Sequence, residues 1–226
     1  MNFDFLTDPL EKLFFIIQGG INVIIPNEDL SFGLAIIAFT ILIRVVLLPL
    51  SIKQTKSTSK MGAIGPEVKK VQAKYKSDPQ KSQQEVMKLY KENGVNPMGG
   101  CLPMIIQMPI LFAMFYVFRN LDMNGAGFLW MKDLTLKDPM YILPVLSMVT
   151  TYFSSKLMQP PTTGDAGKSK QTSTMNVVMA IFMGFMSLNF PGALVLYWVI
   201  NNILQVIQTL AINKIEAAKK EINTSA

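Results

Sequence analysis

The sequence predicts an all-α polytopic membrane protein, in which five transmembrane helices surround a cytoplasm-open hydrophilic groove and a two-helix hairpin lies in the cytoplasm. Three observations support this fold class. Half of the 226 residues are hydrophobic and only 16% are charged, a composition typical of membrane proteins. Five apolar segments approach the roughly 20 residues that a helix needs to cross a bilayer. The lysines are concentrated in alternate connections between these segments.

The composition also excludes several kinds of chemistry. The chain has no histidine and a single cysteine, Cys101. An internal disulfide, a cysteine-cluster metal site and imidazole catalysis are therefore excluded. Nothing in the sequence resembles a nucleotide-binding loop or a catalytic triad. We expect a protein that is not an enzyme and has no cofactor.

The five predicted spans differ in length. The third and fourth are short for a full crossing, which predicts little tilt or a locally thinned bilayer. Only the sequence NFPG separates the fourth from the fifth, so we expect a tight hairpin there. The spans cover Ser31–Ser51, Cys101–Leu121, Pro139–Ser155, Met175–Leu188 and Pro191–Asn213.

The charges between the spans predict the orientation. Residues 1–30 carry five acids against one lysine, whereas residues 52–100 carry ten lysines against four acids. Lysine-rich connections face the cytoplasm. We therefore expect a bacterial plasma-membrane protein with its N-terminus outside and its C-terminus in the cytoplasm. The chain then divides into an extracytoplasmic segment 1–30, the first span 31–51, the cytoplasmic hairpin 52–100, the second span 101–121, the outer loop 122–138, the third span 139–155, a cytoplasmic loop 156–174, the fourth and fifth spans 175–213 and a cytoplasmic tail 214–226.

The apolar segment 13–25 predicts an interfacial helix on the outer face. It would be about 20 Å long, and Gln18, Gly19, Gly20 and Asn22 interrupt its apolar character. A sixth span or an uncleaved signal anchor is the alternative.

The segment 52–100 predicts two antiparallel helices. The sequence SDP at 77–79 ends the first, and Asp78 can cap a second helix with Pro79 at its first position. Two interpretations of the hairpin stay open. It is a solvated hairpin whose lysines keep it in the cytoplasm, or it is a docking arm for anionic headgroups or an acidic partner. The apolar stripes are Met61, Ile64, Val68, Val71 and Tyr75 on one helix, and Val86, Leu89 and Tyr90 on the other.

An arginine interrupts the first predicted span. Arg44 lies in the stretch AFTILIRVVLLPL, and no predicted span contains an acidic residue. A charge at the centre of a span costs about 2.5–3.5 kcal/mol on insertion scales, and arginine cannot lose its proton. Arg44 either extends toward the inner interface, about 10 Å away, or faces water within the membrane region. The polar residues of the other spans favour water.

A polar stripe on the fifth span carries the prediction of a groove. A lone asparagine or glutamine could simply form a hydrogen bond between helices. A whole stripe together with an unpaired arginine favours a groove wetted from the cytoplasmic side. Its members, three or four residues apart, are Trp198, Asn201, Gln205 and Gln208, with Asn202 and Thr209 at the margin; Thr40 and Gln107 add polar groups from the first and second spans.

The chain resembles the YidC family of membrane-protein insertases, whose relatives serve mitochondria and thylakoids. The matching strings are RVVLLPLSIKQTKS, KYKSDPQKSQQEVMKLYKENGVNP, GGCLPMIIQMPILFAMF and FPGALVLYWVINNILQVIQ. The resemblance implies five core spans, a cytoplasmic hairpin and a hydrophilic groove that contains an arginine. By motif position that arginine is Arg44, and Thr40, Gln107 and Trp198 fall where the family lines its groove.

The resemblance implies an insertase that moves short acidic or polar segments of nascent proteins across the membrane and releases their spans into lipid. Nascent membrane proteins and lipid are the expected partners. The ribosome, a targeting receptor and a Sec-type translocon are candidates for the cytoplasmic loops, and no specific nucleic-acid binding is expected. Two other functions stay open: a secondary transporter with Arg44 as the anion site, and a structural subunit of a larger membrane complex.

Overall fold

The computed structural model describes residues 4–95, 102–121, 123–158 and 166–225. Within these residues the chain forms nine helices and no named strand, which confirms the predicted all-α class. The predicted residue Cys101 lies outside the described residues. The helices are α1 (Asp4–Ile24), α2 (Glu28–Val46), α3 (Leu48–Ala63), α4 (Gly65–Lys74), α5 (Pro79–Glu92), α6 (Leu102–Asn120), α7 (Ile142–Met158), α8 (Ala166–Ser187) and α9 (Gly192–Ser225).

Two of the described helices are long and apolar enough to cross a membrane. They are Glu28–Val46 and the stretch Gly192–Ala218 of α9. Shorter apolar stretches occupy Gln107–Arg119 in α6 and Thr174–Ser187 in α8. The total of five spans therefore stays a prediction.

The first predicted span is divided between α2 and α3. The side chain of Asn27 caps α2 by accepting a hydrogen bond from the Leu30 amide at 3.0 Å. The helix ends at Leu47, and Pro49 lies in the first turn of α3. Since proline has no amide hydrogen to donate within a helix and is tolerated in its first turn, one helix ends and the next begins here. Arg44 consequently lies in the last turn of α2.

An aromatic cluster joins α1 to the bundle. Phe14 of α1 is fully buried, and its ring centroid lies 5.9 Å from that of Phe39 and 5.9 Å from that of Phe118. Rings at these spacings and edge-to-face angles attract one another beyond their simple burial. The predicted segment 13–25 is therefore part of a longer helix that packs into the core, and its interfacial location stays a prediction.

The α4–α5 hairpin has a small core of its own. Asp78 caps α5 by accepting from the Lys81 amide at 3.0 Å. Met61 lies on α3 rather than on the helix that carries Val68, so the expected single stripe is divided. The reason is local: Gly65 and Pro66 start a new helix after a break at Ile64. The core contains Ile64, Val68 and Val95, with Met61, Val86, Leu89 and Tyr90 packed against it.

The segment 123–141, which we call the outer cap, closes the end of the bundle where α2 and α9 begin. Asp138 holds it together by accepting hydrogen bonds from Trp130 Nε1 at 2.9 Å and from the Leu143 amide at 2.7 Å. Backbone bonds join Gly192 to the cap at Leu136. The ring of Phe128 packs directly on the backbone of α2, so that a Cβ atom at Gly33 would lie only 1.8 Å from it.

We predict that Gly33→Ala destabilises the fold by about 1–3 kcal/mol, because Phe128 must leave its position. The matched control is Gly20→Ala in α1, where an added Cβ meets nothing within 4 Å. Alanine there should be neutral or stabilising by up to about 1 kcal/mol. Thermal unfolding in one detergent compares the two, and equal melting temperatures would contradict the prediction.

Candidate functional site

The Arg44 side chain forms hydrogen bonds with three neutral acceptors on α9. Its Nε donates to Asn201 Oδ1 at 2.8 Å. One of its Nη atoms donates to the Asn201 carbonyl oxygen at 2.8 Å and to Gln205 Oε1 at 3.0 Å. Among the described residues no carboxylate pairs with Arg44. The ion pair that these residues do contain joins Lys56 to Glu216. The positive charge is thus held in place without being neutralised.

The helices place these groups for simple geometric reasons. Asn201 and Gln205 are four residues apart and so share one face of α9. That face packs against α2, whose last turn carries Arg44. The exposed carbonyl groups at a helix C-terminus favour a cation there. The site therefore uses both the polar face of one helix and the end of another.

Tyr197 and Gln107 extend the cluster. The Tyr197 hydroxyl lies near the charge of Arg44 and within hydrogen-bonding reach of the Gln107 side chain. Neither this hydroxyl nor the amide nitrogen of Gln107 makes a hydrogen bond of good geometry with the described residues, although both atoms are buried. Buried polar groups normally find a partner. Tyr197 and Gln107 are therefore a pair of buried polar groups next to Arg44, each within reach of the other.

A second set of polar groups on α9 faces α7. Thr151 Oγ1 accepts hydrogen bonds from Trp198 Nε1 at 3.0 Å and from Asn202 Nδ2 at 2.9 Å. Further along, Thr209 Oγ1 lies 3.5 Å from the sulfur of Met158. These contacts tie α9 to α7 along a side of the helix next to the one that binds Arg44.

The structure thus separates the predicted site residues into groups. Arg44, Asn201 and Gln205 form one hydrogen-bonded cluster with Gln107 beside it, whereas Trp198 and Asn202 bind α7. Thr40 is fully buried, and its hydroxyl donates to the Ile36 carbonyl one turn earlier. The side-chain nitrogen of Gln208 is buried without a hydrogen bond among the described residues.

Sequence reasoning did not identify Tyr197 or Thr151. Tyr197 looks like an ordinary apolar-face residue next to Trp198. Thr151 does leave a signal, because Ser147, Thr151 and Ser154 recur at spacings of four and three and are all buried. Such a hydroxyl stripe on an apolar helix predicts a polar face that meets another helix.

The C-terminal half of α9 is joined to α3 by two side-chain contacts. Lys56 Nζ lies 3.2 Å from Glu216 Oε1, and Ser59 Oγ lies 3.5 Å from Asn213 Oδ1. α3 follows directly on α2 in the chain. α9 is therefore bonded to α2 through Arg44 and to the next helix, α3, through these two contacts. Both charged side chains of the ion pair are exposed, so the pair contributes at most about 1 kcal/mol.

Comparison with known proteins gives consistent matches along most of the chain. The 60Kd inner membrane protein family matches residues 24–220. The chain is similar to the membrane protein insertase YidC of Clostridium perfringens, with 49% identity over 221 residues that cover 94% of this chain and 93% of the relative. The corresponding protein of Clostridium tetani is 47% identical over 212 residues, covering 93% and 94%. The protein of Chlorobaculum tepidum is 42% identical over 226 residues, which cover 93% of this chain but 37% of that relative.

We predict that Thr151→Val destabilises the fold by about 1–3 kcal/mol, because it leaves the donors of Trp198 and Asn202 without their acceptor. Thr151→Ser keeps the hydroxyl and is the matched control. It should lose clearly less stability than Thr151→Val. Thermal unfolding of both variants in the same detergent measures the difference. A valine variant as stable as the serine variant would show that these hydrogen bonds contribute nothing.

Proposed function

Since this chain belongs to the 60Kd inner membrane protein family, whose relatives described above are membrane protein insertases, we propose that it moves short acidic or polar segments of nascent proteins across the membrane. In this proposal the segment enters a hydrated groove from the cytoplasm. The substrate's own apolar span then leaves the groove sideways into lipid. Groups in this site bind and orient a polypeptide and make or break no covalent bond.

The observation that carries the proposal is the state of the Arg44 charge. Its acceptors are the neutral oxygens of Asn201 and Gln205, so the guanidinium keeps its full charge for an incoming carboxylate. Two opposite charges 4 Å apart gain about 4 kcal/mol at an effective dielectric constant of 20. This attraction offsets part of the cost of moving an acidic side chain into the membrane.

Two further energies complete the cycle. Burial of the substrate's apolar surface in lipid contributes about 25 cal/mol per Å², which favours release from a polar groove. The membrane potential adds about 2.3 kcal/mol per charge at 100 mV and favours outward movement of acids. No nucleotide is needed in this scheme.

Support for the individual groove residues differs. Arg44, Asn201 and Gln205 are supported by their hydrogen bonds, and Gln107 by its place next to Tyr197, which lies near Arg44. Trp198 and Asn202 bind α7, so for them we propose that they hold the groove wall in position. We include Thr40 and Gln208 among the proposed groove residues because of their positions in the sequence. Thr40 lies one turn from Arg44, and Gln208 one turn from Gln205.

We further propose that α2, α6, α7, α8 and α9 are the five spans, in a bacterial plasma membrane with the C-terminus in the cytoplasm. The lysines of α3, α4 and α5 support this orientation. Nascent membrane proteins and lipid are the proposed partners. A ribosome, a targeting receptor or a translocon could dock on the lysine-rich hairpin.

We expect Arg44→Ala to lower the insertion of a substrate with an acidic outer segment into proteoliposomes by about tenfold or more, since a loss of about 1.4 kcal/mol of attraction gives a factor of ten. Arg44→Lys keeps the charge and should retain most of the activity. A second substrate, with its acids replaced by asparagine, should be insensitive to both changes. Equal activity of Arg44→Ala and the wild-type protein would favour the alternative that the chain is a structural subunit of a larger complex. An inactive wild-type protein would exclude autonomous insertion.

Asn201→Asp tests the role of the unneutralised charge more directly. Aspartate has the shape of asparagine and keeps the acceptor 2.8 Å from Arg44 Nε, but it supplies a carboxylate from the chain itself. The expected result is a protein at least as stable as wild type with about tenfold slower insertion of the acidic substrate. Unchanged insertion in a folded Asn201→Asp protein would show that the charge of Arg44 does not attract substrate.

A further inference from the structure

The outer cap presents large apolar side chains at its surface although its interior is well packed. Leu129 is 71% exposed, Leu136 62%, Met140 60% and Tyr141 61%. Met123, Phe128, Met131 and Leu134 of the same segment are buried in the core. The exposed groups are therefore the outward face of an ordered structure.

Two of these exposed residues have a backbone conformation that side chains disfavour. The φ angle is 55° at Leu129 and 57° at Tyr141, in the left-handed region that glycine and asparagine usually occupy. The surroundings hold both in place. Phe128 and Met131 exchange backbone hydrogen bonds across Leu129, and the Tyr141 carbonyl accepts from the Val145 amide. The fold thus keeps bulky side chains at positions that glycine would fill with less strain.

The apolar surface of the cap continues without interruption onto α7. Tyr141, Val145, Val149 and Phe153 recur every four residues, and all of them are exposed. Residues at this spacing lie on one side of a helix. On a helix that we propose to span the membrane, that side faces acyl chains. The cap therefore meets the bilayer at the level of its headgroups.

The charges of the cap complement a lipid surface. Its lysines, Lys132 and Lys137, are exposed, and Lys137 Nζ lies 3.3 Å from Asn189 Oδ1. Its described acids are used internally: Asp138 is buried and bound by Trp130, and Asp133 accepts from the hydroxyl and amide of Thr135. Exposed cations beside exposed leucine and tyrosine suit the phosphate and upper acyl region of a membrane.

We propose that the outer cap is a lipid-binding surface, with Leu129, Leu136 and Tyr141 inserted among the upper acyl chains and Lys132 and Lys137 at the lipid phosphates. The leaflet is the one at the end of the bundle opposite the α4–α5 hairpin. Because the cap is bonded to α9 at Gly192 and to α7 through Asp138, its contact with lipid fixes the depth of both helices. This inference is independent of whether Arg44 binds a substrate.

The test places a fluorescent probe at the tips of the cap. In a Cys101→Ser background, Leu129→Cys and Leu136→Cys are each labelled with a thiol-reactive, environment-sensitive fluorophore. Gln84→Cys on α5, an exposed position of the hairpin, is the matched control. The labelled proteins are placed in nanodiscs of phosphatidylcholine and phosphatidylglycerol, in which both faces are open to solvent. Quenching by a lipid with a nitroxide on its upper acyl chain is compared with quenching by aqueous iodide.

Nitroxide lipid should quench the probes at Leu129 and Leu136 severalfold more than the probe at Gln84, and iodide should show the reverse order. Removal of phosphatidylglycerol should lower the nitroxide quenching when Lys132 and Lys137 are both present but not after Lys132→Ala and Lys137→Ala. Iodide quenching at both cap positions equal to that at Gln84 would overturn the proposal. Protection from both quenchers would also overturn it, because the surface would then be covered by protein. Two labelled positions guard against one variant that fails to fold.

Discussion

The site depends on how the guanidinium of Arg44 is held. A cation in the apolar interior of a membrane protein needs partners, and a carboxylate would be the strongest one. The chain supplies amide and carbonyl oxygens of α9 instead. Such partners lower the cost of burial but leave the net charge in place. The positive charge of Arg44 therefore stays unneutralised among the described residues, and the proposed function depends on this charge.

The arrangement requires that α9 present the correct face, and a second set of hydrogen bonds on the adjacent side ensures this. Trp198 and Asn202 share the hydroxyl of Thr151, which fixes the rotation of α9 relative to α7. Asn201 lies between these two residues in the sequence and binds Arg44 of α2. Neighbouring positions along the polar side of one helix thus fix the position of α9 and carry the proposed chemistry.

The sequence predicted the class of fold and the family well, because both depend on long-range patterns of hydropathy and on extended motifs. The resemblance to the insertases is confirmed by the matched family and its relatives, and these relatives are insertases rather than enzymes. The link between Arg44 and the stripe of Asn201 and Gln205 followed from helical spacing. The partner of Trp198 did not, since spacing within one helix cannot say which neighbour it meets.

Other features could not be derived for local physical reasons. The break at Ile64 depends on Gly65 and Pro66, which interrupt a stripe whose apolar spacing continues. The depth at which Phe14 packs depends on tertiary contacts with α2 and α6. The outer cap places Leu129 and Tyr141 in a conformation that the sequence argues against, so only the surrounding hydrogen bonds explain it. The number of spans and the lining of the groove stay predictions.

The length of α9 has a mechanical consequence. A helix of 34 residues measures about 50 Å, against about 30 Å for the hydrocarbon layer. This rod has no proline between Gly192 and Ser225, and it is fastened at one end to Leu136 and at the other to Lys56. A helix of this length exceeds the hydrocarbon layer by about 20 Å, so its C-terminal turns, which Lys56 joins to α3, can stand in water beyond the membrane.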